Sequence, residues 1–403
     1  MNAGQRQDTI QDSQNALVTQ LREAVEAIFV IEDVTCGASL GQRQRAGQVV
    51  CLRGQLILAA GEAHKIIAPR FEALEHIAFL RREDGRDVIY AVPGVVRPTQ
   101  SKRWVNVVLF AVTVLSVLFT SAASLGAALL NTEAETLLEP ILFGLTHLHL
   151  GLPATVALLG PLLAHEFGHY LAARHFGLPA TLPYFIPLPF PISPLGTMGA
   201  VIRMRGPIPN RKTLLAIGAA GPLAGLFVAI PVLILGLTLS PVVPFDPQTG
   251  VGIPETGMSL EGNSLLYGGL KRLMFGQWLP GGGKDVCLHP IVFSAWAALL
   301  VTAINLIPAG QLDGGHIAYA LLGDKARRLT QAMIVLTLIM GFFWQGWWLW
   351  TMLIWFFGQR HAAPLDDITP LTAGQRLLAV VTLIVFVLTF IPIPLQIIMP
   401  PGA

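Results

Sequence analysis

Charge is scarce in this sequence, and cysteine nearly absent. Of 403 residues only 12% are Asp, Glu, Lys or Arg, about half the usual share for a soluble protein. Residues 1–103 hold 13 of the 26 basic and 12 of the 24 acidic side chains. The long remainder is therefore too apolar for an ordinary soluble enzyme. A net charge of +2 with no basic stretch leaves no electrostatic footprint for nucleic acid. Three cysteines, Cys36, Cys51 and Cys287, with no C-x-x-C, exclude a disulfide framework and a cysteine-rich metal site. Any metal must be held by His, Asp or Glu. The first 15 residues are polar, glutamine-rich and include Asp8 and Asp12, which fits neither a secretory signal nor a transit peptide. That start is expected to be mature and cytoplasmic, with a flexible segment over 1–13.

What is abundant is uncharged sequence. Runs without Asp, Glu, Lys or Arg cover Trp104–Thr132, Pro140–Ala164, Thr213–Phe245, Val286–Leu312, Leu329–Gln359 and Leu377–Ala403, each long enough to cross an apolar layer of about 30 Å as a helix. The expected class is a polytopic α-helical membrane protein with six spans over 104–399. A seventh run, His175–Ile202, contains six prolines, which remove backbone donors and forbid a regular helix. Irregular backbone survives at membrane depth only inside protein or beside water, so 178–202 is expected to be a re-entrant segment with a hairpin near Pro194–Ala200. Eleven basic residues flank one side of the spans and five the other. The positive-inside bias then places both termini in the cytoplasm, and the membrane expected is the bacterial inner (plasma) membrane. The tryptophans between Trp344 and Trp355 are expected to form an interfacial belt.

Residues 14–98 are expected to form a small soluble α/β domain, cytoplasmic, in the order α-β-β-α-β-β. The helical segments rest on apolar spacing such as Leu17, Leu21 and Val25, and the last hairpin on Glu83-Asp84-Gly85 between alternating apolar runs. No catalytic constellation stands out there, and His64 and His76 are expected to be surface or core histidines. The outer loop, 240–285, is rich in Gly and Pro, with no pattern long enough for a separate domain.

Chemistry concentrates at two places. Ala164-His165-Glu166-Phe167-Gly168-His169 is an H-E-x-x-H on a helix. The i, i+4 spacing puts both imidazoles on one face, where they can share one zinc, and Glu166 can reach the attacking water. A carboxylate inside a span costs about 2.5–3.5 kcal/mol on insertion scales, which makes a functional role the default. A catalytic zinc usually takes three protein ligands. The fourth run offers Asn305-Leu-Ile-Pro308-Ala-Gly310-Gln-Leu312-Asp313-Gly314-Gly315-His316, in which Asp313 is again a carboxylate within apolar sequence. Counted at 1.5 Å per residue from the cytoplasmic ends, His169 lies about 12 Å deep and Asp313 about 15 Å. Residues at like depth can meet.

The pair H-E-x-x-H and N-x-x-P-x-x-x-L-D-G, with the six-run layout, resembles the site-2 protease family of intramembrane zinc metalloproteases, particularly bacterial and chloroplast members with an N-terminal soluble α/β domain and no PDZ domain. Carried over by position, the resemblance implies His165, His169 and Asp313 as ligands of one Zn²⁺ per chain and Glu166 as general base. Gly221-Pro-Leu-Ala-Gly225 is similar to the small-residue motif on the family's third span. Gly196, Thr197, Met198 and Gly199 are similar to its membrane hairpin. His316 stands where many members have Arg, as a group behind the ligands or an alternative ligand.

The expected activity is hydrolysis of peptide bonds in transmembrane protein segments near the cytoplasmic face, in regulated intramembrane proteolysis or membrane-protein quality control. The expected partners are membrane-protein substrates and the lipid bilayer, with no nucleic acid. An extended substrate can add to the hairpin at Gly196–Val201 as a further strand, and Asn305 offers an amide to hold its backbone. Gly221 and Gly225 have the small-x-x-x-small spacing of close helix packing. A transporter would need further intramembrane carboxylates, and a di-iron lipid enzyme several histidine boxes. Neither is present in the six runs. A catalytically dead scaffold would not need all four of His165, Glu166, His169 and Asp313.

Overall fold

The computed structural model describes residues 15–37, 49–95, 102–130, 138–254, 257–358 and 363–401; the expected flexible segment 1–13 lies outside them. Tertiary contacts divide the chain into two units. One comprises Met1–Thr99, Arg205–Leu214 and Ala362–Ala373, the other Gln100–Met204, Leu215–His361 and Gly374–Ala403.

The first unit runs α1 (15–25), β1 (Phe29–Cys36), β2 (Val50–Leu56), α2 (Ala60–Ala73), β3 (His76–Glu83) and β4 (Arg86–Pro93). The strands form one antiparallel sheet in the order β1-β2-β4-β3. Leu21 and Val25 of α1, and Ile67 and Phe71 of α2, lie one turn apart on their helices and bury against Leu52, Leu80 and Ile89 of the sheet. Asp84 and Gly85 at the β3–β4 turn both have positive φ, 50° and 82°, the backbone that a two-residue I′ hairpin demands. The unit extends beyond the contiguous 14–98 expected. Leu80 N donates to Leu365 O at 2.8 Å, Leu365 N donates to Ile208 O at 2.8 Å, and Arg211 Nε donates to Asp367 Oδ1 at 2.7 Å. Strand β3 is one edge of the sheet, and an open edge exposes unpaired amides and carbonyls; Leu365 and Asp367 supply partners for both the amide and the carbonyl of Leu80.

The second unit is helical. It continues with α3 (Arg103–Leu130), α4 (Leu138–Thr146), α5 (Leu152–His175), β5 (Tyr184–Pro187), β6 (Thr197–Val201), α6 (Arg211–Thr238), β7 (Val242–Pro244), β8 (Met258–Glu261), α7 (Leu265–Phe275), β9 (Lys284–Val286), α8 (Pro290–Asn305), α9 (Asp313–Leu322), α10 (Ala326–Met340), α11 (Gly346–Gly358), α12 (Ala373–Thr389) and β10 (Leu395–Ile398). Among the described residues three helices are long and apolar enough to cross a membrane: α3, α6, and α5 with the single 3₁₀ turn before it. The other expected spans fold as shorter apolar helices, Pro290–Asn305 and Ala373–Thr389 among them, or as divided ones.

The fourth run breaks after Asn305 and restarts as α9, since Pro308 has no amide to donate and Gly310 takes φ +55°. The fifth run divides into α10 and α11 around the turn at 341–345. Trp347, expected in an interfacial belt, is instead 1% exposed and donates its indole N–H to Pro392 O at 2.6 Å.

The proline-rich stretch folds as the antiparallel pair β5–β6, with Phe185 opposite Ala200 and Tyr184 opposite Val201. It leans on α3. Asn106 Nδ2 donates to Leu182 O at 2.7 Å and to Pro183 O at 3.1 Å, Ser116 Oγ to Gly196 O at 2.7 Å, and Phe190 N to Thr120 Oγ1 at 3.0 Å. Side chains of α3 thus satisfy the backbone groups that proline leaves without ladder partners. The 240–285 loop carries β7, β8, α7 and most of β9. At its centre Lys271 is fully buried, with Nζ 3.0 Å from Glu261 Oε1 and 4.0 Å from Asp285 Oδ1.

Candidate metal centre

Helix α5 is continuous through the H-E-x-x-H, so His165 and His169 rise one turn apart on the same face. Asp313 is the first residue of α9, where the positive end of the helix dipole favours a carboxylate. The chain reversal at 306–312 brings that end to α5. His165 Nε2 and His169 Nε2 each lie 3.2 Å from Asp313 Oδ2 and 3.1 Å from one another. The three atoms form a nearly equilateral triangle.

That triangle has the size of one face of a zinc tetrahedron. Ligand atoms bound at about 2.0–2.1 Å with tetrahedral angles stand about 3.3–3.4 Å apart. Hydrogen bonding alone does not explain the arrangement. The Nδ1 of His169 is 2.7 Å from Ile217 O, which fixes the proton on Nδ1 and leaves Nε2 a bare lone pair facing a carboxylate oxygen. Such a backbone carbonyl behind a metal-binding imidazole is the common second partner of the ring. The Nδ1 of His165 is buried with no partner among the described residues. His165 is 2% exposed, and His169 and Glu166 8% each. The donor set and its spacing therefore fit a zinc ion. Glu166, between the two histidines in sequence, interacts electrostatically with both His169 and Asp313.

Helix α6 shapes the other wall, which the sequence reading treated as packing only. A Cβ at Gly221 would stand 2.1 Å from His169 Nε2, and one at Gly225 would stand 3.1 Å from His165 Cβ. Both glycines lie directly against the imidazoles. At Gly168 of α5 a Cβ would stand 2.5 Å from Ala220 O, so α5 and α6 touch along their small residues. The G-x-x-x-G spacing announced close approach; nothing local announced that rings fill the space, or that Ile217 would supply the carbonyl.

The remaining expected residues sit apart from the triangle. Among the described residues the group able to hold a metal is His165, His169 and Asp313; His316 is one turn further along α9, its Cβ against Gly218 of α6, and does not join it. Asn305 is the last residue of α8. Gly196 is taken up by packing: its carbonyl accepts from Ser116, and a Cβ there would meet Val117 Cα at 2.6 Å. Thr197 Oγ1 donates to Ile186 O at 2.9 Å and accepts from Gly199 N at 3.0 Å, closing the hairpin on itself. Met198 is 69% exposed.

Residues 153–344 match the family model described as Peptidase family M50. Among curated proteins the chain is 34% identical over 319 residues to "Probable zinc metalloprotease EGY2, chloroplastic" of Oryza sativa subsp. indica, covering 77% of this chain and 54% of that protein. It is 36% identical over 246 residues to the Arabidopsis thaliana protein of the same name, covering 60% and 42%. To "Probable zinc metalloprotease EGY1, chloroplastic" of Arabidopsis thaliana it is 31% identical over 246 residues, covering 60% and 43%. The chain spans about half the length of the curated relatives it matches. The resemblance read from the two motifs is borne out by these matches.

Proposed function

Because residues 153–344 match the family model described as Peptidase family M50, we propose that this chain is a zinc-dependent intramembrane endopeptidase of the site-2 protease kind, cutting transmembrane protein segments near the cytoplasmic face. The observation that carries the proposal is the triangle of His165 Nε2, His169 Nε2 and Asp313 Oδ2, with sides of 3.1–3.2 Å, its two histidines buried and its aspartate half-buried among apolar helices. In this reading His165, His169 and Asp313 hold one Zn²⁺. Bound zinc supplies Lewis acidity to a water molecule and to the scissile carbonyl.

The chain's own groups do the rest. Glu166 takes the proton of the attacking water on its carboxylate and later passes it to the leaving amide nitrogen, a contribution of about 10²–10⁴ in rate. The Ile217 carbonyl keeps the His169 ring in the tautomer whose Nε2 is free to ligate. A helical substrate has its amides tied up internally, so it must unwind locally before cleavage. One edge of β6 has no strand partner among the described residues; in this proposal an extended substrate pairs there, beside the exposed Met198, while Asn305 holds its backbone.

The topology proposed has six passes. α3, α5 and α6 cross whole; α8 with α9, α10 with α11, and α12 cross as shorter or broken helices, both termini being cytoplasmic. The relatives are named chloroplastic and lend the expected bacterial inner membrane no support. The test is cleavage of a transmembrane reporter whose helix has been weakened with glycine, by purified wild type and Glu166→Gln. Cleavage should fall by about 10²–10⁴ with bound zinc unchanged; equal cleavage removes Glu166 as the base.

A further inference from the structure

Helix α7 is built inside out. Lys271 is fully buried, its ammonium held between Glu261 and Asp285 and 4.7 Å from the centre of the Tyr267 ring. Leu273, two residues on, is 81% exposed, and Leu265, at the start of the helix, 66%. A helix facing water turns its charges out and its leucines in. This one does the opposite.

The outward residues make one face. At about 100° per residue, Leu265, Gly269, Arg272 and Leu273 fall within about 100° of arc. A Cβ at Gly269 would meet nothing within 4 Å, so the face is open along its length. Trp278, 64% exposed, extends it, with its ring 3.7 Å from where a Cβ at Gly268 would stand. The inward side is apolar as well, since Leu266, Leu270 and Met274 pack on a buried cluster that includes Trp296 and Leu299 of α8. A helix apolar on both sides, its lysine neutralised, belongs between protein and hydrocarbon rather than between protein and water.

The depth agrees. Trp296 stands six residues past Pro290, the first residue of α8, which is about 9 Å along that helix. Its indole N–H donates to Gly262 O at 2.9 Å, just before α7 begins. The segment thus enters alongside α8 instead of passing over its end. A second protein has little to hold there. Even at the 150–250 Å² that an aromatic ring covers, three side chains of that exposure show roughly 300–500 Å², short of the ~800 Å² per partner of a stable protein interface.

We propose that α7 is an interfacial helix whose Leu265–Leu273 face, with Trp278, lies at the acyl-chain boundary of the non-cytoplasmic leaflet, with phospholipid as its partner. Arg272, exposed on the same face, carries its guanidinium out to the headgroup phosphates. Trp278 takes the place that tryptophan favours at such a boundary. The connection between α6 and α8 is then a membrane-seated element and not a solvated loop. The proposal rests on the six-pass reading and on no residue of the metal centre.

The experiment places a nitroxide on single cysteines of the full-length chain, with Cys36→Ser and Cys287→Ser removing the exposed thiols and the buried Cys51 left in place. Labelled chain is reconstituted into bilayers of phosphatidylcholine and phosphatidylglycerol. Electron paramagnetic resonance then compares collisions with oxygen, which concentrates in hydrocarbon, and with a water-soluble nickel chelate. Leu265→Cys and Leu273→Cys, both outward and so harmless to packing, should favour oxygen, though less than Phe227→Cys at an 80% exposed position within α6. Glu23→Cys, exposed in the soluble unit, should favour nickel. A preference for nickel at either leucine position, with oxygen still preferred at Phe227→Cys, overturns the proposal. Shielding from both reagents that lifts on dilution in lipid would assign the face to a second copy and overturns it too. Nickel preference at Phe227→Cys would instead remove the membrane reading itself, so the two failures are distinguishable.

Discussion

At the residue scale, the proposed chemistry rests on four side chains, and two absent ones make room for it. His165 and His169 need a flat wall beside them, and Gly221 and Gly225 provide it. The two positions differ in tolerance. A methyl at Gly221 would stand 2.1 Å from His169 Nε2, while at Gly225 the His165 Cβ is at 3.1 Å and the nearest imidazole atom, Nδ1, at 3.4 Å. Gly221→Ala should therefore weaken zinc binding by more than tenfold and cost about 1–3 kcal/mol of stability through overpacking, whereas Gly225→Ala should retain most of its zinc. Competition with a chromophoric chelator measures both. Equal zinc affinity in the two variants would contradict the geometry. The sequence named His165, Glu166, His169 and Asp313 because H-E-x-x-H is a local pattern whose geometry follows from helix pitch. The Ile217 carbonyl was not legible, since every residue has one and only tertiary placement selects it.

At the element scale, the decisive feature is the break between α8 and α9. An uncharged run reports that a segment can leave water, but says nothing about whether its backbone ladder is continuous. Val286–Leu312 therefore read as part of one span, although Pro308 already marked a missing amide. The break makes Asp313 a first-turn residue and aims it at the two histidines. It is held by Gly310, whose φ is +55° and whose Cβ position lies 2.0 Å from Gly358 Cα in α11. Backbone cannot yield there as a side chain can. Gly310→Ala should cost at least about 1–3 kcal/mol, seen as a lowered thermal midpoint in detergent with zinc lost alongside; an unchanged midpoint would show that the turn adapts. The hairpin was legible as irregular backbone from its prolines, but its anchoring on Asn106, Ser116 and Thr120 was not, because these polar residues of α3 looked like ordinary minor content in an apolar run.

At the scale of the whole molecule, the uneven charge of the sequence maps onto two units of different character. The α/β order of the first was legible from period-2 and period-3.6 spacing. Its completion by 205–214 and 362–373 was not, because pairing across some 150–290 residues leaves no local trace; Arg205, Arg211 and Lys212 read simply as the basic flank of spans. The central claim belongs to the second unit: one ion joins α5 to α9. The most direct measurement is zinc content alongside reporter cleavage for wild type and Asp313→Ala. One equivalent of zinc should disappear together with cleavage. Zinc retained at the wild-type count would show that Asp313 is no ligand and that the triangle closes without it.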